Sequence, residues 1–413
     1  MSVSLSEDQV RRLRARAQGP GPYPAGAGGQ RPRDAGAQHD GRSVHDDVVA
    51  SITGAAAGIQ AQNTAAADLS VRVRGRGLTV DDVRRAVVDR RSVVRTWCMR
   101  GTLHLVAATD VRWLLAALAP TAIAGGRRRM ERLGLDAPTA DRGVRRLAEV
   151  LADGRPRTRV EIIERLAGDD LPLEGQGIAH LLWYAALSGV LCNGPLRGRK
   201  DTYVLLDAWL GPARKGEPTP AGPGARRTPG RAADEADTVP DDLLARLAAR
   251  YLAAFGPATL DDFAYWSGLR KRDARRGWSA IEAETVEVDA AGTLALMPAD
   301  RVGWLDERAA DAAPSVRLLP MFDTYLLGYR SRDLALAPAY ADRLIPGGGG
   351  IIRATLLVDG RVRGTWKTQK ARSGLEVLLD PFTPLSNAVL AAVDAEVADI
   401  GRFLGTAATL RVA

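Results

Sequence analysis

The chain has 413 residues, of which 46% are hydrophobic and 26% charged, and its formal net charge is +8. This composition is typical of folded soluble proteins of about two to four domains, and it excludes disordered and fibrous chains. No stretch approaches the roughly 20 apolar residues of a membrane span, and the two cysteines and four histidines show no metal-ligand spacing. From the polar start we expect no signal peptide. We therefore expect a cytoplasmic protein with no membrane association, no metal and no cofactor.

The positive charge comes almost entirely from arginine, since only five of the 57 cationic residues are lysine. A GC-rich genome accounts for most of this bias. Guanidinium groups also bind phosphates through two-point contacts, so the same bias favours a nucleic-acid partner without requiring one.

The first part of the chain predicts helices followed by a β-ribbon. A short basic helix (5–18) and a Gly/Pro/Arg-rich arm (19–43) come first. The next predicted helices begin at Ser43, Thr64 and Thr79, and the first and last of these starts carry N-capping patterns. A β-ribbon that turns at Arg100 and Gly101 follows them. This order predicts a winged helix-turn-helix unit with an N-terminal arm over residues 1–120.

The same order recurs along the chain. A capping box at Thr158 and a basic loop between two apolar runs predict a second unit over residues 121–210. The cationic residues at the tip of that loop, the expected wing, are Arg197, Arg199 and Lys200. Residues 211–240 are too rich in Pro, Gly and charge to pack and predict a linker. A third helix-turn-helix unit, over residues 241–285, begins after it.

Strand-like alternation dominates the remainder of the sequence. Residues 286–413 predict a β-rich, barrel-like module that ends in a helix at about 384–404. Asp359 and Gly360 form a two-residue hairpin signal within it. The expected fold class is therefore α+β: three tandem winged helix-turn-helix units followed by a C-terminal β-rich module.

Four segments of the chain form a distinctive set. They are residues 58–62 (GIQAQ), 94–104 (VRTWCMRGTLH), 319–329 (LPMFDTYLLGY) and 358–366 (VDGRVRGTW). In this order and at this spacing they resemble the winged-helix DNA glycosylase family typified by AlkZ, and the likeness covers nearly the whole chain. The Gln-x-Gln pattern of the first segment has almost no specificity alone, so the four together carry the resemblance.

The resemblance implies an enzyme that hydrolyses the N-glycosidic bond of alkylated purines in double-stranded DNA. The expected substrates are N7-alkylguanines, including bulky antibiotic adducts and interstrand crosslinks. We expect a monomeric, monofunctional glycosylase in base excision repair or in self-resistance to a DNA-alkylating antibiotic. Whether the damaged base leaves the helical stack stays open, because flipping is awkward for an intercalated or crosslinked lesion.

The residue chemistry is compatible with this activity. An N7-alkylated guanine is already cationic, so it departs as a neutral base and needs no strong general acid. The enzyme must instead hold a water against the sugar, and two neutral amides offer the acceptors and donors for that task. We therefore expect Gln60 and Gln62 to be the catalytic residues. In an extended segment both side chains share one face, whereas at a helix C-terminus they would diverge as solvated amides.

Ten further residues are candidates for DNA contact. They are Arg100, Thr102, His104, Arg197, Arg199, Lys200, Arg330, Arg332, Arg361 and Arg363. Each also has a purely structural interpretation, such as a β-turn with a backbone-bonded His104, a solvated basic loop, or an edge strand kept soluble by charge. In the third motif, Asp323 and Tyr325 fit buried hydrogen-bonding roles best. Two other functions stay open, a non-catalytic winged-helix regulator and a damage-binding protein, and base release distinguishes both from a glycosylase.

Overall fold

A computed structural model describes residues 3–19, 47–222, 239–305, 314–348, 350–372 and 374–413. The structure is a mixed α+β fold. The α-helices are α1 (Glu7–Gln18), α2 (Val48–Ala55), α3 (Thr64–Arg74), α4 (Val80–Arg84), α5 (Val111–Arg132), α6 (Ala137–Val150), α7 (Arg159–Arg165), α8 (Gln176–Leu187), α9 (Leu206–Leu210), α10 (Asp241–Phe255), α11 (Leu260–Ser267), α12 (Lys271–Ser279), α13 (Thr324–Leu327), α14 (Ala341–Leu344) and α15 (Asn387–Leu404).

The strands form three sheets. They are β1 (Val3–Leu5), β2 (Ile59–Gln60), β3 (Val93–Trp97), β4 (Leu103–Ala107), β5 (Arg157–Thr158), β6 (Leu191–Asn193), β7 (Thr202–Leu205), β8 (Thr285–Ala290), β9 (Leu294–Pro298), β10 (Val316–Leu319), β11 (Thr355–Val358), β12 (Arg361–Ala371), β13 (Gly374–Pro381) and β14 (Ala408–Val412). The predicted arm, the cap at Ser43 and most of the predicted linker lie outside the described residues.

Local capping chemistry sets several helix starts. The caps that the sequence predicts at Thr79 and Thr158 both form as capping boxes, and a third capping box begins at Thr259. In the second of these, the Thr158 backbone N–H donates to the Glu161 carboxylate at 2.7 Å. Each box satisfies N–H groups that a helix start otherwise leaves without partners. The helix that begins at Thr79 is short, because its chain continues as one π-helical turn (Arg85–Asp89).

A six-stranded sheet in the order β2-β4-β3-β6-β7-β5 joins the first two units. The first unit supplies α2, β2, α3, α4, β3 and β4, and the second supplies α6, β5, α7, α8, β6 and β7. Both therefore run helix, strand, helix, helix, strand, strand. They meet where Arg95 of β3 pairs with Asn193 of β6. This places the first strand of each unit, β2 and β5, at opposite edges of the shared sheet.

The same element order occurs a third time, from α10 to β9. Ala258 forms a single antiparallel bridge with Leu296 of β9, followed by α11, α12 and the hairpin β8–β9. The N-terminal strand β1 adds to this hairpin in parallel with β8. Val10 of α1 is buried in the same apolar cluster as Val288 of β8. The N-terminal segment, which the sequence groups with the first unit, thus packs on the third.

The C-terminal module is an open sheet in the order β10-β11-β12-β13-β14. The predicted barrel-like closure is therefore wrong, because within the described residues β10 and β14 lie at opposite edges. The long helix α15 packs against both edge strands, and its Val393 and Ile400 share a core with Trp366 and Leu379 of the sheet. A helix that covers one face buries the apolar side chains that closure of a barrel would otherwise bury.

Buried ion pairs connect the first unit to the C-terminal module. Arg74 of α3 donates to both carboxylate oxygens of Asp323 at 2.8 Å, and Ser70 and Thr324 complete this network. Asp323 is 1% exposed, so its predicted buried role is confirmed. Charges buried this deeply require such partners.

The described helices include none that is long and apolar enough to cross a membrane. Across the same parts of the chain, no group of three or more His, Cys, Asp or Glu side chains is arranged to hold a metal ion.

Candidate active site

The Gln-x-Gln motif lies on the edge strand β2 and the residues that follow it. After α2 the chain turns through Ala57 and Gly58, both at positive φ. Gly58 has φ 95°, a conformation that residues with a side chain rarely adopt, and a Cβ here would also lie 2.4 Å from the end of the Met99 side chain. The turn leads into β2, where Gln60 pairs with His104 of β4. The extended geometry at Ile59 and Gln60 is the alternative that places the two glutamines on one face.

The two carboxamides contact each other directly. Gln60 Nε2 donates to Gln62 Oε1 at 2.7 Å. Gln60 is 8% exposed, whereas Gln62 lies at the surface. Gln60 Oε1 is buried and has no hydrogen-bond partner among the residues that the structure describes. Because an unpaired buried acceptor costs about 1–3 kcal/mol, this atom is a strong candidate for binding a water or a substrate group.

His104 lies beside Gln60 and is a neutral, buried side chain. It is 3% exposed, and its Nδ1 lies 2.8 Å from the Thr102 carbonyl oxygen. That carbonyl can only accept, so Nδ1 carries the proton and Nε2 is an acceptor. Burial, together with the positive charge of Arg100, lowers the pKa of His104 to about 3. This burial does not fit the predicted DNA contact by His104.

A polar row crosses the sheet next to the motif. Thr96 of β3 pairs with His104 on the side opposite Gln60, so the three side chains share one face of the sheet. Thr96 Oγ1 is also buried without a partner in the described chain. The sequence alone did not single out Thr96, because strand pairing, which sets this row, is not visible in a single segment.

Asp68 of α3 is a second feature that the sequence reasoning missed. Burial raises the pKa of its carboxyl group to about 7, and the charge of Arg95 opposes the shift. Arg95 supports the motif directly, because its Nε donates to the Ala61 carbonyl at 3.0 Å while its Nη1 pairs with Asp201 at 2.6 Å. The site thus has a carboxyl group that titrates near neutral pH close to the arginine that supports residue 61.

Arg100 and Arg332 come together at Tyr265, a residue that the sequence reasoning also missed. The Arg100 guanidinium lies 5.7 Å from the Tyr265 ring centre, and Arg332 Nη2 donates to the Tyr265 hydroxyl at 3.4 Å. Thr102, in contrast, donates to the Met99 carbonyl at 3.1 Å and stabilises the turn at this position. Arg330 is exposed and pairs with Asp261 at 2.9 Å.

The predicted wing has one engaged arginine and two exposed cations. Arg197 pairs with Glu161 at 2.6 Å and donates to the Pro156 carbonyl, so its charge is partly neutralised within the protein. Arg199 and Lys200 are exposed at the tip of the loop, and no side-chain bond to them occurs within the described residues.

The hairpin of the fourth motif packs against the body of the protein. The Tyr325 hydroxyl donates to the Gly360 carbonyl at 2.8 Å, and a Cβ on Gly360 would lie 2.9 Å from the Arg11 side chain. The turn therefore packs against α1 and α13. Arg361 is half-buried, whereas Arg363 is exposed. The neighbouring hairpin β12–β13 carries further exposed cations, which the sequence reasoning missed: Lys367, Lys370 and Arg372.

Comparison with known proteins places this architecture in a family. The family described as "DNA glycosylase AlkZ-like" matches residues 53–403. The chain belongs to the AlkZ-like DNA glycosylase family. This AlkZ-like protein is accordingly a DNA glycosylase, and the family named from its sequence motifs is confirmed.

Individual relatives agree with that assignment. The AlkZ-like chain is 30% identical over 365 residues to a protein named interstrand DNA cross-link repair glycosylase from Streptomyces sahachiroi, across 86% of this chain and 90% of that protein. The solved structure of the Streptomyces sahachiroi DNA glycosylase AlkZ is similar with a TM-score of 0.76 and 26% identity, covering 100% of both chains.

Proposed function

We propose that this AlkZ-like protein is a monofunctional glycosylase that hydrolyses the N-glycosidic bond of cationic N7-alkylguanine adducts in double-stranded DNA and leaves an abasic site. The name of the Streptomyces relative, an interstrand cross-link repair glycosylase, supports bulky adducts as substrates. The biological role would be base excision repair or self-resistance to a DNA-alkylating antibiotic. We further propose that the enzyme acts as a monomer.

The observation that carries this proposal is the geometry of the two carboxamides. Their mutual hydrogen bond uses one donor of Gln60 and the acceptor of Gln62. It leaves Gln60 Oε1 as a vacant acceptor and the Gln62 amide group as a donor without a partner in the described chain. One acceptor and one donor on neighbouring groups are what a single oriented water needs.

The proposed reaction follows from that arrangement. The water donates one hydrogen to Gln60 Oε1 and accepts one from Gln62 Nε2, which directs its remaining lone pair at C1′ of the damaged nucleotide. As the bond from C1′ to N9 breaks, both bonding electrons go to the guanine and cancel its positive charge. The water oxygen bonds to C1′, and its surplus proton passes to solvent because an amide is too weak a base to keep it.

The same chemistry limits the substrate range and the product. An uncharged guanine or adenine is a poor leaving group, and the neutral amides supply no acid to protonate it. Undamaged DNA should therefore be spared. A lyase reaction needs an amine nucleophile. The five lysines, at positions 200, 215, 271, 367 and 370, all lie far from the motif in sequence.

The domain organisation predicted from the sequence is also part of the proposal. Three repeats of helix, strand, helix, helix, strand, strand support three winged-helix units, over residues 1–120, 121–210 and 241–285. The hairpin β8–β9 extends the last unit beyond its predicted end, because Leu296 bridges to Ala258 ahead of α11. Residues 211–240 would link the units, and the remaining chain would form the C-terminal module.

The test is release of N7-methylguanine from methylated duplex DNA under single-turnover conditions. We expect Gln60→Ala and Gln62→Ala each to slow release by about 10²- to 10³-fold, the usual loss for one positioned polar group, while DNA binding stays unchanged. Gln176→Ala, at an exposed glutamine of α8, serves as the matched control and should release base at the wild-type rate.

Other outcomes would identify another function. Wild-type release in both variants would remove the glutamines from the active site. Tight binding of adducted DNA without base release by the wild-type protein would favour a damage-binding protein, and sequence-dependent binding without release would favour a regulator.

A further inference from the structure

Arg100 is held in a defined orientation at the turn between β3 and β4. Its backbone has φ 54°, a conformation that residues with a side chain rarely adopt. Its Nη1 donates to the Trp266 carbonyl at 2.6 Å, near the C-terminal end of α11. A Cβ on Gly268 would lie 3.1 Å from the Arg100 Cγ, so the glycine leaves room for this arginine. The side chain is therefore positioned by the C-terminal end of α11.

Arg332, which is far from Arg100 in sequence, contacts the same α11 helix at Tyr265. Its Nε donates to the Leu326 carbonyl at 2.8 Å, and its Nη2 donates to the Tyr265 hydroxyl. The Tyr265 side chain is 38% exposed, and the Arg100 guanidinium lies 5.7 Å from the centre of its ring. Because the tyrosine oxygen accepts from Arg332, its own proton remains available for another acceptor.

The two arginines differ from the neighbouring cations in their ion pairing. Neither Arg100 nor Arg332 forms an ion pair with a carboxylate of the described residues, whereas Arg330 and Lys271 both pair with Asp261. Burial lowers the pKa of the Arg100 guanidinium, Tyr265 opposes this shift, and the positive charge of Arg332 adds to it. Two half-buried like charges cost free energy in the unbound protein, and a bound anion removes that cost.

We propose that Arg100, Tyr265 and Arg332 form a clamp for the phosphodiester backbone of one DNA strand next to the Gln60–Gln62 pair. Both guanidinium groups and the tyrosine hydroxyl are donors, and phosphate oxygens are the acceptors that arginine forks bind most strongly. The clamp lies near the active site, since Arg100 acts electrostatically on the His104 ring, which pairs with Gln60 across β2 and β4. This inference rests on the proposed function for its DNA partner.

The first experiment measures how the affinity for an undamaged duplex depends on salt concentration. Arg100→Gln and Arg332→Gln should each reduce the slope of log affinity against log salt by about 0.9, the value for one lost phosphate contact. Arg145→Gln is the matched control: it removes the same charge from an exposed arginine of α6, and its slope should equal that of the wild type. Unchanged slopes in both clamp variants, or an equal loss in the control, would overturn the clamp.

A second experiment tests direct contact between the clamp and a single phosphate. Uncharged methylphosphonates replace single phosphates around an N7-methylguanine, one position at a time. Neutralising the clamped phosphate should weaken binding by the wild-type protein but not further weaken binding by Arg332→Gln. Tyr265→Phe, which removes only the hydroxyl, should reduce the same penalty in part. Equal penalties in wild type and Arg332→Gln at every phosphate would contradict the clamp.

The two proposals fail in different ways. If the wild-type protein binds duplex DNA but releases no base, the proposed glycosylase reaction fails while the clamp is still judged by the binding data. If base release is normal and Gln60→Ala abolishes it, but the phosphate penalties are the same in all proteins, only the clamp fails.

Discussion

At the residue scale, the chemistry of the site depends on which polar atoms keep a vacant hydrogen-bonding position. Gln60 and Thr96 each bury an oxygen atom without a partner in the described chain, and His104 between them uses only Nδ1. These groups are neutral at physiological pH. Such a site orients a polar molecule rather than transferring protons strongly, which fits a substrate that has already weakened its own glycosidic bond.

Asp68 offers a residue-scale prediction about pH and stability. Its folded-state pKa of about 7 lies above its ordinary value of 3.8, so folding favours the protonated carboxyl group. Stability is therefore lost as pH rises from about 4 through 7, where the unfolded chain ionises first. We expect Asp68→Asn to be more stable than the wild type at pH 8, by on the order of 1–2 kcal/mol, and equally stable at pH 4.

Urea unfolding at the two pH values, followed by tryptophan fluorescence, measures this difference. A variant less stable than the wild type at pH 8 would show that Arg95 stabilises the ionised carboxylate more than burial destabilises it.

At the element scale, the third helices of the second and third repeats present different surfaces. Helix α8 packs against the first unit and α5. Its Trp183 donates to the Gly101 carbonyl at 3.0 Å, and a Cβ on Gly126 of α5 would lie 2.6 Å from the Trp183 ring. Helix α12 instead exposes the cations Arg270, Lys271, Arg272 and Arg275 at its start and along one side. The two helices hold the same position in their repeats, but α8 packs against the rest of the protein whereas α12 exposes positive charge to solvent.

Two glycines give an element-scale prediction about packing. A Cβ on Gly277 of α12 would lie 2.5 Å from the Leu244 carbonyl oxygen of α10, so Gly277→Ala must separate the two helices. We expect a loss of about 1–3 kcal/mol in the free energy of unfolding. Gly125→Ala in α5 meets open space and should raise stability by about 0.5–1 kcal/mol, because alanine is the better helix former.

Chemical denaturation of both variants measures these changes in the free energy of unfolding. If both alanines stabilise the protein, the close approach of α10 and α12 is not a constraint on stability.

At the scale of the whole molecule, buried ion pairs connect α3 to segments that are distant in sequence. Arg74 and Asp323 are 249 positions apart, and Arg72 pairs in the same way with Glu396 of α15 at 2.9 Å. Both arginines lie on α3, directly after the Gln-x-Gln motif. The C-terminal module is therefore attached to the helix that follows the candidate catalytic residues, so its packing bears on their position.

Removing the negative charge of the Arg74–Asp323 pair tests this connection. Burial alone would raise the pKa of Asp323, but Arg74 and the hydrogen bonds to the carboxylate outweigh it, so the pKa is lowered. Its stabilising contribution is thus present at neutral pH and lost as pH falls below its ordinary range toward the lowered value. At pH 7 we expect Asp323→Asn to cost about 3–5 kcal/mol, because Arg74 stays buried without its counterion.

Glu149→Gln, which breaks an exposed pair with Arg146, should cost only about 0–1 kcal/mol. Urea unfolding at pH 7 compares the two variants. Equal small losses would mean that the buried pair contributes no more than a surface one.

Much of the local structure, and the family, were predictable from the sequence. Capping boxes at Thr158 and Thr259 involve residues three positions apart, so a short stretch of sequence determines them. The four motifs that indicated a DNA glycosylase are likewise contiguous stretches. The pairing of the Gln60 and Gln62 carboxamides required only that the backbone be extended between them, an alternative that was visible before the fold was known.

Only the tertiary structure decided what brings distant residues together. In the folded protein Tyr265 contacts both Arg100 and Arg332, and His104 is buried. Arg197 pairs with Glu161. The C-terminal sheet stays open because α15 covers one of its faces. The physical reason is common to all of these. Solvation, burial and ion pairing depend on every group that surrounds a side chain, and in a folded chain most of those groups come from segments far away in the sequence.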